Sequence, residues 1–214
     1  MDKRRIAVFD FDGTLIKGDS IASYVLYAMQ RGYLSFFDLP YQLINVRRTL
    51  KNRISDEQGK SNALRFLGRM TPAQQDEFNL SFCRDKLLPR LYPKGVQRMH
   101  EHQADGVHVL LLSASPDCYM KDWLGLLPID GVLATPTNDQ GHVSLTVRHH
   151  EKVKRMREWE AEQGFEVDWV NSWAYGDSAT DLPVMQMTGH PVLVNPKPAM
   201  QAEGKGLPVE IWRE

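Results

Sequence analysis

The spacing of hydrophobic and polar positions changes character twice along the chain. Residues 5–10 form a short, β-rich apolar run, the pattern of a strand covered on both faces. From Ser20 to about Pro89 the period is helical throughout. Ile21, Tyr24, Val25, Ala28 and Met29 make one apolar stripe, and residues 36–50 predict a second helix with Pro40 near its start. Ser55-Asp56-Glu57-Gln58 and Thr71-Pro72-Ala73-Gln74 fit the capping box, so two more helices should begin near 56 and 72. Alternation resumes after Tyr92-Pro93-Lys94-Gly95. A helix near 94–104 leads to a strand over 107–112. Ser115-Pro116 then opens a helix whose stripe is Tyr119, Trp123, Leu126 and Leu127. Short strands are predicted at 132–135 and 143–147, as a hairpin around Asn138-Asp139-Gln140-Gly141. Val153, Met156 and Trp159 mark a helix. Residues 169–175 predict a strand, 180–187 a short helix, 192–194 a strand and 209–212 an edge strand.

Strands alternating with helices imply a doubly wound α/β fold, a parallel sheet with helices on both faces. The helical stretch interrupts that alternation and reads as an insertion. Residues 1–16 and 91–214 would form the core, and residues 17–90 an all-helical cap subdomain; a chain of 214 residues has room for both. With 42% hydrophobic and 25% charged residues the composition is that of an ordinary globular protein. A net charge of -1 gives no reason to expect a nucleic-acid partner. No apolar run approaches the roughly 18 residues of a membrane span, so no membrane partner is expected either. The start, Met1-Asp2-Lys3-Arg4-Arg5, lacks the apolar core of an export signal. A cytoplasmic protein with reduced Cys83 and Cys118 is the expectation.

The chemistry gathers where strands end. Asp10 and Asp12, in Asp10-Phe11-Asp12-Gly13-Thr14-Leu15, are separated by one residue, so an extended chain aims both carboxylates to one face. Two such charges repel unless a cation or a proton lies between them. Ser113 follows the strand at 107–112, and Gly176-Asp177-Ser178-Ala179-Thr180-Asp181 follows the one at 169–175. Lys152 opens the helix before that last strand. Singly, each has an ordinary explanation: a turn serine, carboxylates capping a helix, a solvated lysine. Together they make one charge-balanced site, with carboxylates for a hard cation and a hydroxyl and an ammonium for an anion.

These residues, in this order and spacing, resemble the haloacid dehalogenase-like hydrolases over essentially the whole chain. Asp10 to Leu15 matches the family's first motif, Ser113 the second, Lys152 the third, and Gly176-Asp177 with Asp181 the fourth. Ser113-Ala114-Ser115-Pro116 and Asn195-Pro196 look like subfamily IB, the phosphoserine-phosphatase-like branch, and the insertion like its C1 cap. The resemblance implies a Mg²⁺-dependent phosphatase acting on a small phosphorylated metabolite. Asp10 would attack phosphorus to form an aspartyl-phosphate, and Asp12 would be the general acid and base. Asp10, the Asp12 carbonyl and Asp177 would hold Mg²⁺, with Asp181 orienting them. Ser113, Lys152 and the backbone N–H groups of Phe11 and Ala114 would receive the phosphoryl group. Lys154 competes for the lysine role; Lys152 is preferred because Met156 and Trp159 then fall at +4 and +7 on the buried stripe. An aspartate at position 12 favours a phosphatase over a dehalogenase.

Substrate recognition is harder to read. Phosphoserine phosphatases place a glutamate where this chain has Asp19, and a cap arginine where it has Ala63, with Lys60 and Arg65 nearby. Asp19 and Arg65 are the substrate-binding candidates, and Asp19 would serve equally as an N-cap. Arg47, Arg48, Lys51 and Arg53 form a basic cluster that reads as a solvated helix face, with a multiply anionic substrate or an anionic lipid surface as its functional readings; Phe36, Phe37, Leu39 and Tyr41 read as bundle core, with an interfacial cap helix as the alternative. Some subfamily IB relatives act on phosphatidylglycerophosphate, which leaves a membrane-associated lipid phosphatase as the alternative. Phosphotransferases and mutases use the same core, and a non-catalytic phospholigand sensor is a further class. Cys118 reads as structural, and His149-His150 as surface residues. The five tryptophans read as packing.

Overall fold

The computed structural model describes residues 2–213. A short β1 (Lys3–Arg4) leads into β2 (Ile6–Phe9). The helical insertion follows: α1 (Ser20–Gln30), α2 (Leu39–Leu50), α3 (Asp56–Leu64) and α4 (Pro72–Phe82). Then come α5 (Pro93–Ala104), β3 (His108–Pro116), α6 (Asp117–Met120), β4 (Gly131–Thr135) and α7 (His150–Glu162). The chain finishes with β5 (Glu166–Val167), β6 (Trp173–Gly176), α8 (Leu182–Met185), β7 (His190–Val194), α9 (Pro198–Glu203) and β8 (Val209–Glu210).

Among the described residues the main sheet has six parallel strands in the order β4-β3-β2-β6-β7-β8, and β1 pairs with β5 separately. The β2 sequence explains its central place. All four of its residues are buried, and side-chain alternation divides them between two cores. Ala7 and Phe9 join Val109, Leu111 and Tyr175 on one face; Ile6 and Val8 join Leu110, Leu112 and Ala174 on the other. The chain winds from β2 through β3 to β4 on one side, then returns to run through β6, β7 and β8 on the other. The winding therefore reverses between β2 and β6, and the carboxyl ends of these strands frame the crevice where such sheets bind ligands.

The helical stretch between β2 and α5 begins and ends at one place. Ile16 bridges to Leu91, and the Tyr92 amide donates to the Leu15 carbonyl at 2.8 Å. Its packing centres on aromatics: Tyr24 lies against Phe66, Phe78 and Phe82, and reaches Tyr119 with ring centroids 4.7 Å apart. Such pairs contribute roughly 0.5–1.5 kcal/mol each beyond the area they bury. Ser55 and Thr71 cap α3 and α4 as expected, with a reciprocal box at Thr71 and Gln74.

Several expectations are corrected. The strand at 143–147 does not form. The turn at 138–141 closes, but the Val143 amide donates to Ser61 Oγ and the Val147 amide to Thr135 Oγ1, so side chains take the donors a partner strand would need. The strand expected over 169–175 starts at Trp173, because Asp168 caps a 3-10 turn at Trp169–Asn171. β3 runs on through Ser113 to Pro116, so Ser113 lies within the strand rather than after it. The helix after Pro116 is one α turn followed by a 3-10 turn at Lys121–Gly125, although Tyr119, Trp123 and Leu127 are buried as the stripe requires. The helix over 36–50 breaks into a 3-10 turn at Phe36–Asp38 and α2, and α9 forms where the sequence pattern predicts no element. Phe36 and Phe37 are not bundle core: they are 77% and 91% exposed.

His102 on α5 is buried, with Nε2 2.8 Å from the Tyr175 hydroxyl. Burial, reinforced by the Arg98 charge, holds its imidazole down at about 4. The unfolded chain therefore binds a proton near pH 6.5 that the folded chain refuses, so stability is full above that pH and lost as pH falls toward 4. In urea unfolding, wild type should lose about 2 kcal/mol more than His102→Gln between about pH 7.5 and pH 5. Parallel pH profiles for the two proteins would refute this.

Candidate active site

The loop leaving β2 is built around its own polar atoms. Gly13 adopts φ +87°, and the Leu15 amide donates to the Phe11 carbonyl at 2.9 Å, which turns the chain back under Asp10. A Cβ on Gly13 would also collide with the Asp177 carboxylate, so the glycine serves both the turn and the approach of β6. Thr14 is buried and its hydroxyl donates to Asp10 Oδ2 at 3.3 Å. Phe11 points away into the core, against Trp123 at 5.1 Å.

Lys152 organises the site. It stands in the first turn of α7 with its side chain only 2% exposed. Nζ donates to Asp10 Oδ1 at 2.7 Å, Asp181 Oδ1 at 2.6 Å and the Leu112 carbonyl at 3.1 Å, using all three of its protons. Burial disfavours its charge, but Asp10 and Asp181 more than compensate and hold it protonated. Lys154 is exposed and pairs with Glu151, so the structure brings Lys152, not Lys154, to the carboxylates. Asp181 also accepts from the Ser178 amide and hydroxyl at 3.1 and 2.9 Å.

Asp10, Asp177 and Asp181 each offer an oxygen, all within 4.8 Å of one another. Burial and the neighbouring Asp181 push both Asp10 and Asp177 up, Asp177 to about 6, while Lys152 pulls them down. Three carboxylates around one ammonium leave a surplus of negative charge in a site walled by the sheet.

Asp12 faces a different environment. Oδ1 accepts from the Ser20 amide at 2.7 Å, and Oδ2 accepts from the Ser20 hydroxyl at 2.8 Å and closely from the Ser115 hydroxyl. The Tyr119 hydroxyl lies 2.8 Å from Ser20 Oγ. Burial, with the Asp19 charge adding to it, raises the Asp12 carboxyl to about 6 against these hydrogen bonds. The buried Ser113 Oγ accepts from the Ser115 amide at 3.0 Å. Ala114 offers its carbonyl to Lys60 Nζ at 2.9 Å and to Thr135 Oγ1 at 2.7 Å.

Asp10, Asp12, Ser113, Lys152, Asp177 and Asp181 thus sit at one end of the sheet. Asp19 is the N-cap of α1, accepting from the Ala22 amide at 3.0 Å, with its charge felt by Asp12. Arg65 is not placed at the site: it is exposed, pairs with Asp38 at 3.2 Å and lies over the Tyr41 ring. Lys60 is the insertion's cation that reaches the motif around Ser113. Sequence reasoning missed Ser20, Ser115 and Tyr119. Ser115 had a signal, since it shares a strand face with Ser113 two residues earlier. The Cys118 thiol is pushed up to about 12 by burial, consistent with an inert side chain.

Several known proteins resemble the chain in sequence or in fold. The chain is 26% identical to a histidinol-phosphatase of Neisseria meningitidis serogroup C (strain 8013), over 96% of this chain and 98% of that one. A Bordetella pertussis Tohama I structure of unknown function superposes with a TM-score of 0.87 at 23% identity, covering 97% and 98% of the two chains. A substrate-bound phosphoserine phosphatase has the same fold, with a TM-score of 0.64 at 15% identity, covering 98% and 94%. Residues 7–186 match the haloacid dehalogenase-like hydrolase family, and the chain belongs to it.

Proposed function

We propose that this chain is a subfamily IB phosphatase that hydrolyses a small phosphomonoester with Mg²⁺, through an aspartyl-phosphate on Asp10. The observation that carries the reading is the Lys152 ammonium between Asp10 and Asp181 with Asp177 in reach. An all-oxygen donor set with surplus negative charge suits a hard divalent cation. Asp10, Asp177 and the Asp12 carbonyl would hold it, with Asp181 orienting them. Bound there, it would neutralise charge on the phosphoryl oxygens.

The remaining work falls to the chain. Asp10 bonds to phosphorus as the ester oxygen departs, and Asp12 gives that oxygen its proton. Asp12 then takes a proton from the water that attacks the phosphoaspartate. A carboxyl raised to about 6 by burial can do both near neutral pH. Ser20 and Ser115 orient it. Ser113 and the Phe11 and Ala114 amides receive the phosphoryl oxygens in both steps, and the Lys152 ammonium neutralises charge beside them. Residues 17–90 act as the cap over a core of 1–16 and 91–214, excluding water from the site. Besides Ser20, Lys60 reaches the Ala114 carbonyl and the Asp19 charge is felt by Asp12, so these two cap groups would read the leaving group.

The relative named histidinol-phosphatase makes phosphorylated amino alcohols the first substrates to try. The test is phosphate release from histidinol phosphate, phosphoserine, glycerol phosphate and an aryl phosphate. At least one should be hydrolysed, with activity lost on chelation and restored by Mg²⁺. Folded protein inert toward every monoester would remove the reading.

A further inference from the structure

α2 is inside out. Gln42 and Asn45 are its buried residues, while Leu43, Ile44, Val46 and Leu50 are 62%, 57%, 53% and 79% exposed. The inward face is a polar seam on α3: Asn45 Nδ2 donates to the Gly59 carbonyl at 2.8 Å, and Asn62 Nδ2 donates to Asn45 Oδ1 at 2.9 Å. Gly59 itself packs against Thr49 so closely that a Cβ would collide. The preceding turn adds two more exposed rings, Phe36 and Phe37. Burying a side chain of this size is worth about 1.5–3 kcal/mol, so these six large apolar side chains left in water within residues 36–50 mark a surface that something covers.

Charge identifies what covers it. From Leu39 to Ser55 the sequence carries Arg47, Arg48, Lys51 and Arg53 and no carboxylate, in a chain whose net charge is only -1. All four are exposed, and none makes an ion pair among the described residues. A second copy of the chain would bring four cations against four. A nucleic acid would satisfy the cations and leave the phenylalanines and leucines in water. A surface that is anionic at its boundary and apolar beneath satisfies both.

We propose that α2 and the Phe36–Asp38 turn dock the protein on an anionic lipid bilayer, with the helix lying in the interface plane. Phe36, Phe37, Leu43 and Leu50 enter the acyl boundary, and the cations extend to headgroup phosphates. Among the described residues no helix is long and apolar enough to cross a membrane, and α2, at 12 residues, spans only about 18 Å. The attachment is therefore peripheral, by surface binding rather than by a span.

Vesicle flotation of the full chain tests this. The protein should float with vesicles of phosphatidylcholine mixed with phosphatidylglycerol, not with phosphatidylcholine alone, and less in high salt. Phe37→Ser with Leu50→Ser, and separately Arg47→Glu with Arg48→Glu, should each weaken partitioning at least about tenfold. Both variants should keep the wild-type far-UV circular dichroism and turnover of a soluble monoester, since they change exposed positions outside the site. No flotation with the anionic vesicles, or flotation indifferent to these substitutions, would overturn the proposal. So would a dimer in light scattering that Leu50→Ser dissociates, because the surface would then be covered by a second copy.

Discussion

Asp10→Asn is expected to lower kcat by at least about 10⁴-fold on whichever monoester the wild type hydrolyses best. The amide keeps the shape of the side chain, and its one oxygen can still accept from Lys152 Nζ at the 2.7 Å position while the Thr14 hydroxyl, at 3.3 Å, turns to accept from the amide N–H. The amide lacks the anionic oxygen that must bond to phosphorus. The fold should tolerate the change within about 1–2 kcal/mol, for a reason visible in the site. Lys152 keeps Asp181 at 2.6 Å and the Leu112 carbonyl at 3.1 Å, so the buried ammonium is not orphaned. At the same time one of three mutually repelling carboxylates is removed. Urea unfolding beside steady-state kinetics separates the two effects. Turnover surviving in Asp10→Asn would move the nucleophile elsewhere. A collapse in stability would mean that Asp10 holds the fold together more than its neighbours imply.

What could be read from the chain follows the reach of each interaction. Asp10 and Asp12 stand out because strand alternation is local, and Lys152 because Met156 and Trp159 fix its helix face four and seven residues on. Both inferences need only backbone geometry. The hydroxyls around Asp12 were harder to find, because Ser20, Ser115 and Tyr119 lie on three elements that meet only in the folded state. The same holds for Lys60, whose partner Ala114 is 54 residues away, and for Arg65, which looked equally eligible by sequence distance alone. The missing hairpin strand illustrates a related limit. Val143 to Val147 has strand-like composition, but its amides are claimed by Ser61 and Thr135, which no local pattern reveals. α2 failed in the opposite direction. Phe36, Phe37 and Tyr41 belong to a bundle core by the usual rule, and the rule breaks here because Gln42 and Asn45 are the buried residues and a polar seam does the packing.

Lys152→Ala should destabilise the fold by about 3–5 kcal/mol as well as abolish turnover, which sets it apart from Asp10→Asn. The ammonium is the group that lets Asp10 and Asp181 approach one another, and its removal leaves them facing each other and Asp177 behind the sheet with no cation. Part of the loss is packing, since the side chain is almost fully buried. Lys152→Met separates the terms: it restores the stem's volume without the charge, so whatever it fails to recover is electrostatic. Mg²⁺ should raise the unfolding midpoint of Lys152→Met by more than that of wild type, because a cation bound only in the folded state repays more where the carboxylates lack a counter-charge. Lys154→Ala is the matched control. Its side chain is exposed and, among the described residues, pairs only with residues on its own helix, Glu151 and Glu158, so stability should stay within about 0.5 kcal/mol and kcat unchanged. Equal losses in Lys152→Ala and Lys154→Ala, or full recovery of stability in Lys152→Met without metal, would show that charge at this position is not what the site depends on.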